Sequence, residues 1–249
     1  FVQHSESIPI KERSLLRNLS LKTVVIVDTN ILIDALKDDL LREMSGDSFG
    51  SLNWTVERSF HWILRRRSKE NLMFMNIPPM VKAEFLNRVK TPKDVLKLFS
   101  KKVYIDSKTW DEKISKKLLN EKVKHICKEF NNWDCKIDKE KMKEIGLERF
   151  MIQHKGIFEE ITKQKISRGD DAGRSVIENQ EIYPEGGDMQ IMRYAAELCN
   201  GINPEIGKVL IATRDSDFKL ISRALEEEYG FGIVGDAQEL NRRILRKIS

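Results

Sequence analysis

The feature that most constrains this chain is a run of four β-branched residues, Val24-Val25-Ile26-Val27, that stops at Asp28-Thr29-Asn30. A strand that is apolar at every position is covered on both faces, which is the signature of a buried parallel strand. Ile31, Leu32, Ala35 and Leu36 then recur at helical spacing, so strand passes directly into helix. The pattern returns late in the sequence. Val209-Leu210-Ile211-Ala212 is a second buried strand, followed by Thr213-Arg214-Asp215-Ser216-Asp217 and a helix marked by Phe218, Ile221 and Leu225. A strand over 72–77, a helix begun at Pro78-Pro79, a strand at 103–105, a helix over 189–199, a strand over 231–234 and a last helix over 236–247 complete an α/β pattern. A further helix is expected over 52–67.

Between these halves the chain changes character. Residues 107–174 hold 17 Lys and Arg against 13 Asp and Glu and show no convincing strand, while Ile114, Leu118, Leu119, Val123, Ile126, Cys127 and Phe130 keep a helical period. This reads as a helical insertion or subdomain with a solvated, basic face. Residues 1–21 read as a leader with one short helix near 11–19, and 22–106 with 175–249 as one α/β domain. With 40% hydrophobic residues in 249, the chain is not disordered, and no apolar run reaches the roughly 18 residues of a membrane span. Three Cys argue against a disulfide framework and for a reducing, cytoplasmic setting. The net charge of +5 is compatible with an anionic partner.

The acids fall at informative places. Ligands of an open parallel sheet bind beyond the carboxyl ends of its strands. Asp28 directly follows one strand, and Asp215 and Asp217 follow another. Asp188 opens a helix after Gly186-Gly187, read as a loop, and Glu84 lies one step off the apolar stripe Val81, Phe85, Val89. Each has a plain explanation: Asp28 or Asn30, Asp188, and Ser216 or Asp217 are all good helix caps. The conjunction asks for more, because carboxylates crowded at one edge repel unless a cation lies between them. Mg²⁺ or Mn²⁺, one or two ions held by oxygen ligands, would serve.

The order of these motifs resembles the PIN domain, a nuclease fold. Val25-Ile26-Val27-Asp28-Thr29-Asn30-Ile31-Leu32 is similar to its opening strand, Val81-Lys82-Ala83-Glu84-Phe85-Leu86 to its second acidic segment, Asp188-Met189-Gln190-Ile191 to the third, and Ala212-Thr213-Arg214-Asp215-Ser216-Asp217-Phe218 to the fourth. The resemblance implies a PIN-like three-layer α/β/α domain with a central, mostly parallel sheet, and a metal-dependent endoribonuclease acting on single-stranded RNA. Asp28, Glu84, Asp188 and Asp215 would be catalytic and, with Asp217, metal-binding. Asn30 and Thr213 would orient the ligands, and Arg214 could contact substrate phosphate or pair with the same acids. The long block at 107–174 departs from the compact toxin members of the family, so an antitoxin partner is not favoured; a protein partner or homo-oligomer is compatible.

The chemistry can be stated from physics alone. A divalent cation offsets the charge of a phosphodiester, lowers the pKa of a bound water and stabilises the leaving oxygen, so no histidine base is needed. The four His, at 4, 61, 125 and 154, lie away from the acidic motifs. Two other functions stay open: a non-catalytic RNA-binding or scaffold protein on the same fold, and a phosphatase of haloacid dehalogenase type, which would place a second Asp where Asn30 stands. Other motifs read more simply. Arg65-Arg66-Arg67 and Lys69 form a solvated helix end or a contact for RNA backbone. His125, Cys127, Cys135 and His154 lack the Cys-x-x-Cys pairing of a zinc site. Asp170-Asp171 reads as a helix cap, and Trp110, Phe130 and Trp133 as core.

Overall fold

Two strands of one sheet lead into Asp28 and Asp215. The structure is a computed structural model and describes residues 22–45, 60–99, 105–133, 146–169, 175–177, 179–183, 186–201 and 206–245. β1 (Lys22–Val27), β2 (Phe74–Asn76), β5 (Ile206–Ala212) and β6 (Phe231–Val234) form one sheet in the order β2-β1-β5-β6. Every pairing in it is parallel. Val24 to Val27 are fully buried, as a strand covered on both faces must be. β3 (Ser175–Ile177) and β4 (Gln180–Ile182) make a separate antiparallel hairpin that the sequence reading did not anticipate. Asn179, at φ 63°, supplies the left-handed residue of its turn.

Helices flank the sheet, as an α/β fold requires. α1 (Thr29–Ser45) follows β1 directly, and α2 (Phe60–Lys69) precedes β2. α2 ends where Asn71 adopts φ 56° and the Leu72 amide donates back to the Arg67 carbonyl. That turn leaves Leu72 exposed and shortens the expected strand over 72–77 to three residues. α3 (Pro79–Arg88) begins on Pro79, and α4 (Pro92–Lys97) is capped by Thr91, whose hydroxyl accepts the Asp94 amide. α9 (Gly186–Gly201), α10 (Asp217–Tyr229) and α11 (Ala237–Leu245) complete the second half. Gly186-Gly187, expected as a loop, instead opens α9. The expected leader at 1–21, the 52–59 part of the helix expected over 52–67 and most of the strand at 103–105 lie outside the described residues; Ile105 is described and is not in a strand.

The 107–174 segment shows four helices among its described residues: α5 (Ser107–Lys113), α6 (Lys116–Glu129), α7 (Glu148–Gln153) and α8 (Lys155–Ser167). Asp106 and Ser115 cap the first two, each accepting a backbone amide one turn on. α6 packs on α1, and α8 packs on α10 and β4. Trp110, Leu119, Phe130, Phe150 and Phe158 are fully or almost fully buried and belong to the same apolar core as the sheet. The segment also seals one edge of the sheet. Asn132 Oδ1 accepts the Met75 amide at 2.7 Å, Asn131 Oδ1 accepts the Ile77 amide at 3.2 Å, and the Trp133 amide donates to the Met75 carbonyl at 3.2 Å. An edge strand covered in this way offers no free ladder to another chain. Among the described residues no helix is long and apolar enough to cross a membrane.

Candidate acidic site at the carboxyl ends of the strands

β1 pairs with β2 on one side and with β5 on the other. The connections therefore leave β1 in opposite directions, and the crevice at such a switch point is where parallel sheets bind ligands. Val27 sits beside Ala212, and the Asp28 amide donates to the Ala212 carbonyl at 3.1 Å. Asp28 and Thr213 thus emerge side by side.

Asp28 is 9% exposed and its carboxylate is held on both oxygens. Oδ1 accepts the Thr29 amide at 2.6 Å. Oδ2 accepts the Asn30 side-chain amide at 2.8 Å and the Thr213 hydroxyl at 2.7 Å. Asp28 does immediately precede α1, but its side chain also reaches across to the neighbouring strand. Thr213 is fully buried, and its oxygen accepts the Asp215 amide at 3.0 Å. Asn30 and Thr213 therefore stand behind the acids and orient them, and Asn30 Oδ1 also accepts the Arg214 backbone amide at 3.2 Å.

The other acids arrive from helices. Thr29 donates its hydroxyl to Glu84 Oε2 at 2.7 Å, and Arg88 reaches Glu84 Oε1 at 3.3 Å. Asp188 lies in the first turn of α9 and accepts the Tyr183 hydroxyl at 2.5 Å. A cavity of about 480 Å³ is lined by Asp28, Asn30, Glu84, Arg88, Asp188 and Asp215, among others. Asp215 takes the capping role expected of its neighbours: its Oδ1 accepts the Asp217 amide at 2.9 Å, while Ser216, at the cap position, makes no such bond. Asp217 is 2% exposed and faces Lys165 Nζ at 3.4 Å and Arg168 at 3.7 Å. Arg214 pairs with Asp34 of α1 at 2.8 Å, an acid outside the cluster.

Burial sets the electrostatics. Desolvation, partly offset by the bonds from Thr213 and Thr29, pushes the Asp28 carboxyl from 3.8 to about 6. Desolvation likewise pushes Asp188 from 3.8 to about 7, against the lowering effect of the Tyr183 hydroxyl and the Lys165 charge. Burial and the Asp215 charge raise Asp217. The donors are all carboxylate oxygens, which suit a hard cation, and Asp217 Oδ1 is buried without a hydrogen-bond partner. As the side chains stand, no group of three Asp, Glu, His or Cys among the described residues is gathered tightly enough to hold a metal ion. Carboxylates repel one another, so a divalent ion would have to draw the cavity's acids together.

Two residues the sequence reading missed complete the site. Lys165 of α8, 9% exposed, lies 4.0 Å from Asp215 and 4.0 Å above the Tyr183 ring. Tyr183, at the end of the hairpin, is 1% exposed, and burial with the Asp188 charge pushes its hydroxyl far up. Neither stands in a local motif; each is placed by packing.

The other motifs are accounted for locally. Arg65 pairs with Asp39 and Glu129, Arg66 and Arg67 pair with Glu70, and Lys69 lies 3.9 Å from Glu129. Arg65, Arg66 and Lys69 border a second cavity, of about 460 Å³, whose arginines all have carboxylate partners. His61 is buried against Asp38, His154 packs on Phe150, and Cys127 is partly buried against the core. Cys135 and Asp170-Asp171 lie outside the described residues. No family model, curated protein or solved structure matches the chain.

Proposed function

We propose that this protein is a metal-dependent endoribonuclease of PIN-like fold that hydrolyses phosphodiester bonds in single-stranded RNA. The observation that carries the reading is that Asp28, Glu84, Asp188 and Asp215, brought from two strand ends and two helices, line one cavity at the switch point of a parallel sheet. A bound Mg²⁺ or Mn²⁺ would supply charge neutralisation at the phosphate and acidify a water. Asp28 and Asp215 would be its leading ligands, with Asp188 and Glu84 beside them. Thr213 and Asn30 fix the orientation of the Asp28 carboxylate, as groups behind a metal ligand do. Asp188, pushed up to about 7 by burial, titrates near neutral pH and is the protein's own candidate for proton transfer. Arg88 in the lining and Arg214 at the rim are cations placed to meet a phosphate oxygen.

The deciding experiment compares cleavage of a single-stranded RNA and of a small phosphate ester, with Mg²⁺ or Mn²⁺ and with chelator. Metal-dependent RNA cleavage that disappears in folded Asp28→Asn and Asp215→Asn variants is expected. Hydrolysis of the small ester alone would favour the phosphatase. Tight RNA binding with no cleavage under any divalent ion would leave the protein a binding module.

A further inference from the structure

The acidic site already contains a cation. Lys165 Nζ lies 3.4 Å from Asp217 Oδ2 and 4.0 Å from Asp215 Oδ2, with only 11% of its side chain exposed. It is fixed from the other side by the face of Tyr183, 4.0 Å away, and the hydroxyl of that same Tyr183 donates to Asp188. Asp217 meets a second cation, Arg168, on its other oxygen at 3.7 Å. The charge on the Asp217 side of the site is therefore met from within the protein, while Asp28, Glu84 and Asp188 line the open cavity with Asp215.

We propose that the Lys165 ammonium takes the place of a second divalent cation, so that the site holds a single metal ion, on the side of Asp28, Asp188 and Asp215. The proposal rests on the metal-dependent reading above. Paired divalent ions in phosphoryl-transfer sites stand about 3.5–4 Å apart, bridged by a shared carboxylate. A second ion on the far side of Asp215 would have to enter the space of the ammonium, and two positive charges there would repel strongly in a buried setting. Lys165 does not line the cavity, so it is a positioning residue: it holds Asp215 and Asp217 together and leaves the remaining Asp215 lone pairs for the ion. Since Lys165 belongs to α8, the 107–174 segment supplies part of the site's charge balance.

The test is a count of bound Mn²⁺ by electron paramagnetic resonance and calorimetry on the full chain. Wild type should bind one ion in the site and lose it in Asp28→Asn/Asp215→Asn. Lys165→Arg should still bind one, and Lys165→Met should bind two. A folded Lys165→Met protein that binds only one, or a wild type that binds two, overturns the proposal and leaves the nuclease reading standing. A wild type that binds no Mn²⁺, or binds it equally well in the double Asn variant, overturns the metal-dependent reading and this proposal with it. If Lys165→Met does not fold, anomalous diffraction from Mn²⁺-soaked wild-type crystals decides: one peak with Lys165 in place is expected, and a second peak against Asp217 overturns the proposal.

Discussion

Thr213 donates its hydroxyl to Asp28 at 2.7 Å across 185 positions of sequence, and the same oxygen accepts the amide of Asp215. One buried side chain thus orients both strand-end acids. Thr213→Val keeps the shape and removes the hydrogen bonds. It should cost about 1–3 kcal/mol by leaving the Asp215 amide unpaired. Urea denaturation should show a lower midpoint at unchanged slope. Mn²⁺ affinity should fall roughly 10–100-fold, as for other groups that orient a ligand. A wild-type midpoint would show that water replaces the hydroxyl.

The pH dependence of stability has a definite sign. Asp28 and Asp188 have folded pKa values of about 6 and about 7, raised from 3.8 chiefly by burial. Between those limits the folded protein binds more protons than the unfolded chain, so their stabilising contribution is complete below about pH 4 and is lost as pH climbs through 6 and 7. For Asp28 the cost of ionisation is on the order of 3 kcal/mol. Melts of the metal-free protein from pH 4 to 8 should show this loss, and Asp28→Asn should flatten it. A variant with the wild-type slope would place the titrating group elsewhere.

Tyr183→Phe removes the hydroxyl that Asp188 accepts at 2.5 Å and that holds its pKa down. The Asp188 carboxyl should then titrate above about 7, and the variant should lose more stability than wild type between pH 7 and 8. Carboxyl-carbon NMR of Asp188 reads the shift directly; an unmoved resonance would mean that a water takes the hydroxyl's place.

Asn132→Ala frees the Met75 amide on the edge strand. Hydrogen exchange at Met75 should accelerate while exchange at Val25, inside the sheet, follows global unfolding only. Equal acceleration at both would mean that Asn132 supports the whole fold and not the edge.

Phe158→Ala tests whether the helical segment is a separate unit. Phe158 is fully buried in the common core. The substitution should cost about 3–5 kcal/mol and lower a single thermal transition. Two transitions would show a segment that folds by itself.

The parallel strands and their acids are legible because both depend on local pattern. Four apolar positions in a row can only be covered on both sides, and an Asp that ends such a run lies at the carboxyl edge wherever the strand sits in the sheet. The same reasoning places α1, α9 and α10 through their apolar stripes. Lys165 is invisible to it, since within α8 it is one of several Lys and only packing against Tyr183 buries it. The β3–β4 hairpin is too short to show a period, leaving Asn179 as its one local signal. Sequence alone offers Arg214 the clustered acids as partners, yet it meets Asp34, because one turn of α1 separates Asn30 from Asp34 and brings that acid within reach.

The pairing of β1 with β5 also fixes when the site can exist. Val27 has no partner until Ala212 has been made. A nascent chain that stops before residue 206 holds Asp28, Glu84 and Asp188 but neither Thr213 nor Asp215. Closing so long a loop is an entropic cost that only the completed β1–β5 ladder repays, which makes this pairing a slow, non-local step of folding. The acidic centre is therefore assembled only in the same event that joins the two halves of the sheet.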